Sequence, residues 1–416
     1  MNAFRLPRLL VFGAIVLCLP AAPARAQMTD LGTLGGNNSR ANCINDNGEV
    51  VGWEVDTSGR YRARYWYRGG ITDLGTPEGD TSRGQGINNQ SWVVGDTGTS
   101  SSQMGIFAVH CQNNIPEPST FTIVDDPPQG SSSHVSAINN SSNKYIVSTS
   151  YDKDGRMSAR FHYVYSPKNN PSGGMSEANG GITELGTLGG ANSEATGLND
   201  LNQVVGSAET ADGEEHAFLY TGTPGVDGAM HDLGTLGGNR SKAYGINNLG
   251  HVVGSSLTAQ WAEHAFLYTG VPGAGGAMTD LGTFGGTRSQ ARDINDLGQI
   301  VGSYSTASGR IHAFLYTNGV VRDLGVLPGG TDSWAYSINN LGQVVGEATT
   351  AAGYRAFLYN PPQALAPALM LLLSEWLRPF TGWGRPPSLA LPPAAGLGGM
   401  GGDIFSRKGA KDAKRG

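Results

Sequence analysis

Short apolar runs alternate with polar turns along most of this chain, and the runs return in a fixed order. Residues 193–199 alternate small and larger side chains, and a polar turn separates them from the β-branched run 203–206. The aromatic run 216–220 and the run 230–234 follow after polar or Gly-rich loops. Alternation and β-branched or aromatic runs of this length predict four short strands in each stretch of this kind.

The same pattern occurs seven times. Each copy opens with Gly-x-x-Ser, an Asn follows six residues after the Ser, and a Val-Gly pair comes after a turn in most copies. The repeated Ser residues are Ser39, Ser82, Ser133, Ser193, Ser241, Ser289 and Ser333, and the Asn residues are Asn45, Asn88, Asn139, Asn199, Asn247, Asn295 and Asn339. The steps between the Ser residues are 43, 51, 60, 48, 48 and 44 residues. A period of this size indicates one supersecondary unit per repeat, stacked as a solenoid or a propeller.

Four strands per repeat favour the propeller, and the many glycines and prolines argue against helices. The phase of the elements adds a further prediction, because a strand at residues 28–32 precedes the first repeat and the last repeat ends on its third strand at residues 355–359. Pairing these two strands would remove two exposed edges. We therefore predict an all-β fold: a seven-bladed β-propeller of four-stranded blades over residues 27–360, closed by the N-terminal strand that completes the last blade. An open solenoid is the alternative.

The two ends of the chain differ from the repeats. Residues 1–26 combine Arg5 and Arg8, an apolar run and the small-residue pattern Ala24-Arg25-Ala26, which predicts a secretory signal peptide. Residues 361–416 begin with an apolar stretch too short to span a bilayer, continue as a Pro/Gly-rich segment and end with basic residues. We expect this tail to be poorly ordered and the mature protein to have no membrane span.

Charge and cysteine content restrict the classes of function. The formal net charge is −6, and without the three arginines of residues 1–26 it is −9. An acidic body argues against nucleic-acid binding, which needs a basic face. Cys43 and Cys111 fall on different strands of different repeats, so a disulfide is allowed but not implied. No Cys/His cluster indicates a zinc site, and we expect no cofactor.

Several of these motifs resemble a known family. His-Ala-Phe-Leu-Tyr at His216 and His264, Asp-Leu-Gly-Thr-Leu-Gly-Gly at Asp232 and the Ile-Asn…Val-Val-Gly stretch at residues 246–254 are similar to the HAF-family extracellular repeat. The resemblance covers residues 28–359 and is weakest at residues 121–165. It implies a secreted or surface bacterial protein in the extracellular space or periplasm, and it implies no known activity or catalytic residues.

The side chains around each repeated Ser vary, which is typical of a binding rim rather than of a repeated structural position. They predict a ring of mostly polar groups at one mouth of the propeller channel, formed by Asn38, Arg40, Arg83, His134, Arg240, Lys242, Arg288, Asp332 and Trp334. A solvated face with no ligand is the alternative.

The other repeated polar residues are interpreted as structural. His216, His264 and His312 are expected to pair with the acidic residue of a nearby strand, such as Asp232 or Asp280. The repeated Asn is expected to cap its turn, and the repeated Ser to make a local backbone hydrogen bond. Asp152 and Asp154 begin a weak match to a calcium loop that lacks its later ligands.

Three hypotheses for function remain open. The first is a secreted, monomeric, non-enzymatic module that binds a glycan or a protein at the channel rim. The second is a propeller-type hydrolase or lyase acting on extracellular polysaccharide, for which Asp152, Asp154 and His162 form the one irregular cluster. The third is a purely structural envelope protein.

Overall fold

A computed structural model describes residues 27–77, 79–98, 104–112, 115–116, 122–125, 131–141, 144–165 and 176–362 of the chain. The predicted signal peptide and nearly all of the predicted tail lie outside these residues. The described part consists of β-strands, turns and loops and contains no α-helix. It therefore also contains no helix with the length and apolarity needed to cross a bilayer.

The strands follow the repeats found in the sequence, and we number the repeats as units 1 to 7. Unit 1 contains β2 (Asn38–Ile44), β3 (Val50–Val55), β4 (Tyr61–Tyr67) and β5 (Gly70–Asp73). Unit 2 contains β6 (Thr81–Ile87), β7 (Trp92–Gly98), β8 (Met104–Gln112), β9 (Ile115–Pro116) and β10 (Thr122–Asp125). Unit 3 contains β11 (Ser132–Ile138), β12 (Lys144–Tyr151), β13 (Met157–Tyr165) and β14 (Ser176–Glu184).

The last four units are the most alike. Unit 4 contains β15 (Gly189–Leu198), β16 (Val204–Thr210), β17 (Glu215–Thr221) and β18 (Ala229–Asp232). Unit 5 contains β19 (Gly237–Ile246), β20 (Val252–Thr258), β21 (Glu263–Thr269) and β22 (Ala277–Gly282). Unit 6 contains β23 (Ser289–Ile294), β24 (Ile300–Ser305), β25 (Ile311–Thr317) and β26 (Val320–Gly325). Unit 7 contains β27 (Ser333–Ile338), β28 (Val344–Thr350) and β29 (Gly353–Asn360), and β1 (Gln27–Asp30) precedes unit 1.

Consecutive strands within each unit pair antiparallel, except that in unit 2 β8 pairs with both β9 and β10. Units 4 and 5 are also joined by one parallel pairing between β17 and β19. In unit 7 the fourth strand is β1, which pairs antiparallel with β29 from Gln27 opposite Asn360 to Asp30 opposite Phe357. The predicted pairing of the two chain ends is thus present. Met28 is buried at this junction, in a core cluster that includes Leu324, Phe357 and Tyr359.

The hydrophobic core lies between consecutive units. One cluster joins Leu219 of unit 4 to Ala243 and Phe266 of unit 5. Another joins Ala41 and Trp66 of unit 1 to Val345 and Ala356 of unit 7. Since the first and last units share a cluster in the same way as sequence neighbours do, no described repeat buries its apolar side chains alone.

The Val-Val-Gly motif has a steric origin. Gly206 lies opposite Phe218 in the strand pairing, and a Cβ atom at Gly206 would stand 2.9 Å from the Phe218 ring. This Cβ atom would also stand 1.9 Å from the carbonyl oxygen of Glu194, so glycine makes room for the backbone of the first strand as well as for the aromatic ring of the third. Arg64 and Arg160 occupy the register of the phenylalanine in units 1 and 3 and pair with acidic residues of the fourth strand. Unit 1 nevertheless keeps glycine, because a Cβ atom at Gly52 would stand 1.9 Å from the carbonyl oxygen of Arg40.

The repeated Ser does not act as a purely local cap, which corrects the sequence-based expectation. The Ser241 hydroxyl donates to the carbonyl oxygen of Gly234 at 2.6 Å and accepts from the amide of Ala217, in the preceding unit, at 2.8 Å. Ser39 accepts from the amide of Ala356, in unit 7, at 3.0 Å. The Ser therefore joins consecutive units, because its short hydroxyl bonds both the loop that precedes its own strand and the third strand of the preceding unit.

Candidate functional site

The first strand of each unit runs from the repeated Ser to the repeated Asn, so these two residues lie at opposite ends of it. We call the two ends the Ser end and the Asn end. Residues of all seven units line a cavity of about 150 Å³ at the Asn end. A second cavity of about 190 Å³ lies along the middle of the first strands and is also lined by all seven units. The first strands of all seven units therefore line both cavities, and we call the space between these strands the channel.

At the Asn end the repeated asparagines form a closed cycle of hydrogen bonds. The side-chain amide of each Asn donates to the backbone carbonyl of the Asn in the next unit, at 2.8 to 3.4 Å. The cycle runs from Asn45 through Asn88, Asn139, Asn199, Asn247, Asn295 and Asn339 back to Asn45. Each described Asn also caps its own turn as predicted; Asn247 Oδ1, for example, accepts from the amides of Leu249 and His251.

The residue after each repeated Asn forms a second cycle. Its backbone amide donates to the side-chain oxygen of the corresponding residue in the next unit, at 2.6 to 2.9 Å. The members are Asp46, Asn89, Asn140, Asp200, Asn248, Asp296 and Asn340, in that order. Every donor and acceptor of these two cycles comes from the protein itself, so these polar groups have a structural role in joining the units.

An acidic side chain interrupts the small residues that line the middle of the channel. Four residues after each Ser, the chain places Cys43, Gly86, Ala137, Gly197, Gly245, Asp293 and Ser337, all of which line this cavity. Burial raises the pKa of Asp293 to about 6, although the amides of Ile338 and Ile294 donate to its carboxylate at 2.9 and 2.8 Å. Sequence analysis missed Asp293. An acidic residue at a position that is small in the other six units was the signal that could have identified it.

At the Ser end, most of the predicted rim residues are held by partners inside the protein. Arg40 makes two hydrogen bonds to the Glu347 carboxylate, at 3.0 and 2.7 Å. The Arg83 guanidinium lies 3.8 Å from the centroid of the Tyr61 ring. Because these cations are already neutralised or stacked, they have little capacity left for a ligand.

The same holds for four other predicted rim residues. His134 Nδ1 lies 2.8 Å from Asp96 Oδ2, and Lys242 pairs with Glu194. Burial of the His134 imidazole disfavours its charged form, but the hydrogen bond and charge of Asp96 outweigh this and raise its pKa. Two others serve the backbone: Asn38 Oδ1 accepts from the amide of Tyr354 at 3.0 Å, and Asp332 Oδ1 from that of Ile311 at 2.8 Å.

Three predicted rim residues, Arg240, Arg288 and Trp334, have no side-chain hydrogen bond or ion pair among the described residues, and they lie on units 5 to 7. The Trp334 ring packs on one side against Tyr354, with 6.1 Å between the ring centroids. A cavity of about 340 Å³ is lined by Arg240, Lys242 and Gln290, among others. An adjoining cavity of about 90 Å³ is lined by Arg288, Trp334 and also Gln290. We call these two cavities, which share Gln290, the rim groove. Arg240 and Arg288 are exposed, and neither guanidinium pairs with a side chain of the described residues.

The predicted histidine pairs are present away from the channel. His216, His264 and His312 lie 2.8, 2.8 and 2.7 Å from carboxylate oxygens of Asp232, Asp280 and Asp323. In the same register Arg62 instead pairs with Asp56 at 2.9 Å. Each pair joins the third and fourth strands of its unit or closes a nearby turn, which agrees with a structural role.

The irregular cluster of unit 3 is not brought together. Asp152 Oδ1 accepts from the amides of Asp154 and Arg156 at 2.8 and 2.9 Å and so caps an exposed turn. His162 is buried further along the strand, with its Nε2 atom 2.6 Å from the Ser148 hydroxyl. Among the described residues, no group of three His, Cys, Asp or Glu side chains is arranged to hold a metal ion.

The Asn end also carries exposed apolar side chains. Leu201, Leu249, Leu297 and Leu341 occupy the same turn position in units 4 to 7, and each is more than 60% exposed. Asn47 and Gln90 occupy this position in units 1 and 2, and their backbone amides donate the same hydrogen bond to the side-chain oxygen of the repeated Asn. The turn itself therefore does not require leucine.

Comparison with known proteins identifies no family. No protein-family model matches the chain, and no curated protein matches it. Solved structures give only distant similarity. A sialidase from Trypanosoma rangeli in complex with the inhibitor DANA has a TM-score of 0.46 at 10% identity, over 85% of this chain and 62% of that chain.

Two further solved structures are similarly distant. Puromycin hydrolase has a TM-score of 0.48 at 14% identity, over 80% of this chain and 55% of that chain. TolB from Acinetobacter baumannii has a TM-score of 0.38 at 11% identity, over 62% of this chain and 60% of that chain. The chain thus matches less than two thirds of the length of each of these proteins, and similarity at this level assigns no function to it.

Proposed function

We propose that the chain is a closed, seven-bladed β-propeller in which each repeat unit is one blade and β1 completes the last blade. The antiparallel pairing of β1 with β29 supports closure. The two hydrogen-bond cycles at the Asn end support seven blades, since each passes once through every unit and returns to its start. An open stack of repeats would leave the first and last units without these bonds.

The chain is, in this proposal, a secreted or surface protein of the HAF-repeat type. The n-region, apolar run and small-residue site of residues 1–26 support export. The His-Ala-Phe-Leu-Tyr and Asp-Leu-Gly motifs support the relationship to HAF repeats, and the structure gives these motifs a role in pairing the third strand with the fourth.

Its function is to bind a glycan or a protein at the Ser end, without catalysis. The observation that carries this proposal is the contrast along the rim. Six of the nine predicted rim residues are tied to internal partners, whereas Arg240, Arg288 and Trp334 line adjoining cavities. Binding sites are concave and contain a few polar groups that are free to contact the ligand, and the rim groove is where this chain offers them.

The test is a binding screen of the full chain as it is exported, on a glycan array and against extracellular proteins. Trp334→Ala should abolish the binding that is found. Leu341→Ala, which removes an exposed apolar side chain at the other end of the same strand, should leave it unchanged.

A parallel assay measures release of reducing or unsaturated sugar ends from polysaccharides. We expect none. Turnover would contradict the non-enzymatic proposal, and a Trp334→Ala variant that binds like the parent would contradict the location.

A further inference from the structure

The rim groove contains two arginines, Arg240 and Arg288, whose guanidiniums pair with no carboxylate among the described residues. The carboxylates of the rim and the groove have other partners, and Glu215, which lines the groove, accepts from the Ser207 hydroxyl at 2.7 Å. Glu194 pairs with Lys242, and Asp332 lies 3.6 Å from Arg310 while accepting a backbone amide. Glu263 accepts from Ser255 and from the side-chain amide of Gln290, at 3.0 and 2.8 Å. Arg240 and Arg288 are thus left with unused hydrogen-bond donors.

The two arginines differ in residue type from the equivalent position of the other five units. The residue before the repeated Ser is Asn38, Thr81, Ser132, Asn192, Arg240, Arg288 and Asp332 in units 1 to 7. Arginine occurs in two consecutive units only. Each of these guanidiniums leaves hydrogen-bond donors to solvent, so a carboxylate that accepts from them would gain charge-assisted hydrogen bonds. The fork of a guanidinium fits a carboxylate through two parallel hydrogen bonds.

The groove also has surfaces for the uncharged part of a ligand. Trp334 is half-buried and lines the same cavity as Arg288 and Tyr304, and the rings present an apolar face beside the cation. Gln290 lies between the two cavities and is held by Arg292 Nη2, which donates to its Oε1 at 2.9 Å. Fixed amide and carboxylate groups of this kind can exchange hydrogen bonds with hydroxyl groups.

We propose that the rim groove binds an anionic polysaccharide whose uronate carboxylates contact Arg240 and Arg288 and one of whose sugar rings packs on Trp334. This assignment rests on the proposed binding function and adds the chemical class of the ligand. A carboxylate on successive sugars suits a site in which successive blades each present one arginine. The hydroxyl groups of the same chain meet Gln290 and Glu263.

The experiment measures binding of the full chain to polygalacturonate and alginate, with dextran as the neutral probe and chitosan as the cationic probe. We expect both polyuronates to bind, with an affinity that falls as salt is added. Dextran and chitosan should bind at least tenfold more weakly, because they carry no anion for the two arginines.

The matched variants carry the same change of charge. Arg240→Gln/Arg288→Gln should lower polyuronate affinity by about 100-fold, because it removes two charge-assisted contacts. Arg60→Gln/Arg68→Gln removes two exposed arginines of unit 1 and should change the affinity less than twofold. Arg240→Lys/Arg288→Lys keeps the charge but loses the fork and should be intermediate. Thermal melting of each variant checks that it is folded.

Failure of the ligand class and failure of the binding function give different results. If dextran or a protein binds and Trp334→Ala abolishes that binding, the rim is a binding site but its ligand is not anionic. If the polyuronates bind equally well to the double glutamine variant, the assignment to Arg240 and Arg288 is wrong. If neither charged nor neutral glycans bind and no protein does, both proposals fail.

Discussion

The side-chain amide of Asn339 donates a hydrogen bond to the backbone carbonyl of Asn45 at 2.9 Å, although 294 positions separate the two residues. Both are almost fully buried. The same bond joins sequence-adjacent units elsewhere, so the contact between unit 7 and unit 1 is equivalent to an internal contact. A repeated polar residue that looks like a turn cap in one unit therefore also connects the units.

Replacing Asn339 separates its two roles. Asn339→Asp keeps the oxygen that caps the turn through the amides of Leu341 and Gln343 but loses the donor to Asn45. Asn339→Ala loses both. We expect Ala to lower the free energy of unfolding by about 1–3 kcal/mol, since buried groups lose their partners. Asp should lower it further, because its buried carboxylate would face the backbone oxygen of Asn45 and the side-chain oxygen of Gln343, to which the amide of Asn339 donates. Denaturant unfolding measures the difference. An Asp variant as stable as the parent would show that the bond between units contributes nothing.

The pairing of β1 with β29 predicts that the N-terminal strand is required for stability. Met28 is 7% exposed and belongs to the core cluster of unit 7. Met28→Asp should destabilise the protein by several kcal/mol, because it buries a charge with no partner. Deleting residues 27–30 should destabilise it at least as much. Gln27→Ala, at an exposed position of the same strand, is the control and should leave the melting temperature within about 2 °C.

Asp293 should make stability fall as pH rises through a narrow window. Its pKa is about 6 in the folded protein against an ordinary value of 3.8. Between these values the folded state holds more protons than the unfolded state, so raising the pH from about 4 to about 6 removes stability. Asp293→Asn cannot titrate, and its melting temperature relative to the parent should rise across this window. A difference in melting temperature between Asp293→Asn and the parent that stays flat across this window would contradict the prediction.

The two cysteines should be unreactive in the folded protein. Neither is in a disulfide, Cys111 is buried, and burial raises the pKa of the Cys43 thiol to about 11. Since the thiolate is the reacting species, alkylation at pH 8 should modify neither residue until denaturant is added. Peptide mass spectrometry after iodoacetamide treatment measures this for each residue. Rapid labelling of Cys43 in the native protein would mean that the channel is open to the reagent.

The exposed leucines of the Asn end should not contribute to folding. Leu249→Gln puts in unit 5 the residue type that unit 2 has at this turn, and the backbone bond to Asn247 does not depend on the side chain. We expect a change in unfolding free energy below about 0.5 kcal/mol. A larger loss in a thermal or denaturant melt would show that the side chain packs against the protein.

The order of strands within each repeat and the pairing of the chain ends were predictable because both follow from periodicity. The histidine–aspartate pairs were predictable because, in each of units 4 to 6, a histidine recurs in the third strand and an aspartate in the fourth. The hydrogen bonds by which the repeated Asn and Ser residues join neighbouring units were not predictable. Their partners are backbone atoms of another repeat. Sequence periodicity identifies a repeated side chain but not the backbone atom that it meets.

The candidate site was predicted only in outline. The rim residues do lie around the Ser end. Nothing in the sequence distinguishes Arg40, which pairs with Glu347, from Arg240, whose guanidinium has no side-chain partner among the described residues. Glu347 and Asp96 lie on second strands at positions that carry no acid in several other units, so they form no periodic pattern. The neutralisation of a cation by a partner far along the chain is decided by packing.

The hydrogen-bond cycles also determine how the protein can come apart. In a linear array of repeats the terminal units have one neighbour and open first. Here every unit has two neighbours joined by the same side chains, so no unit is the natural place for fraying to begin. Protection of the backbone amides against hydrogen exchange should accordingly be lost in a single global event in all seven first strands, with about the same protection factor in every unit.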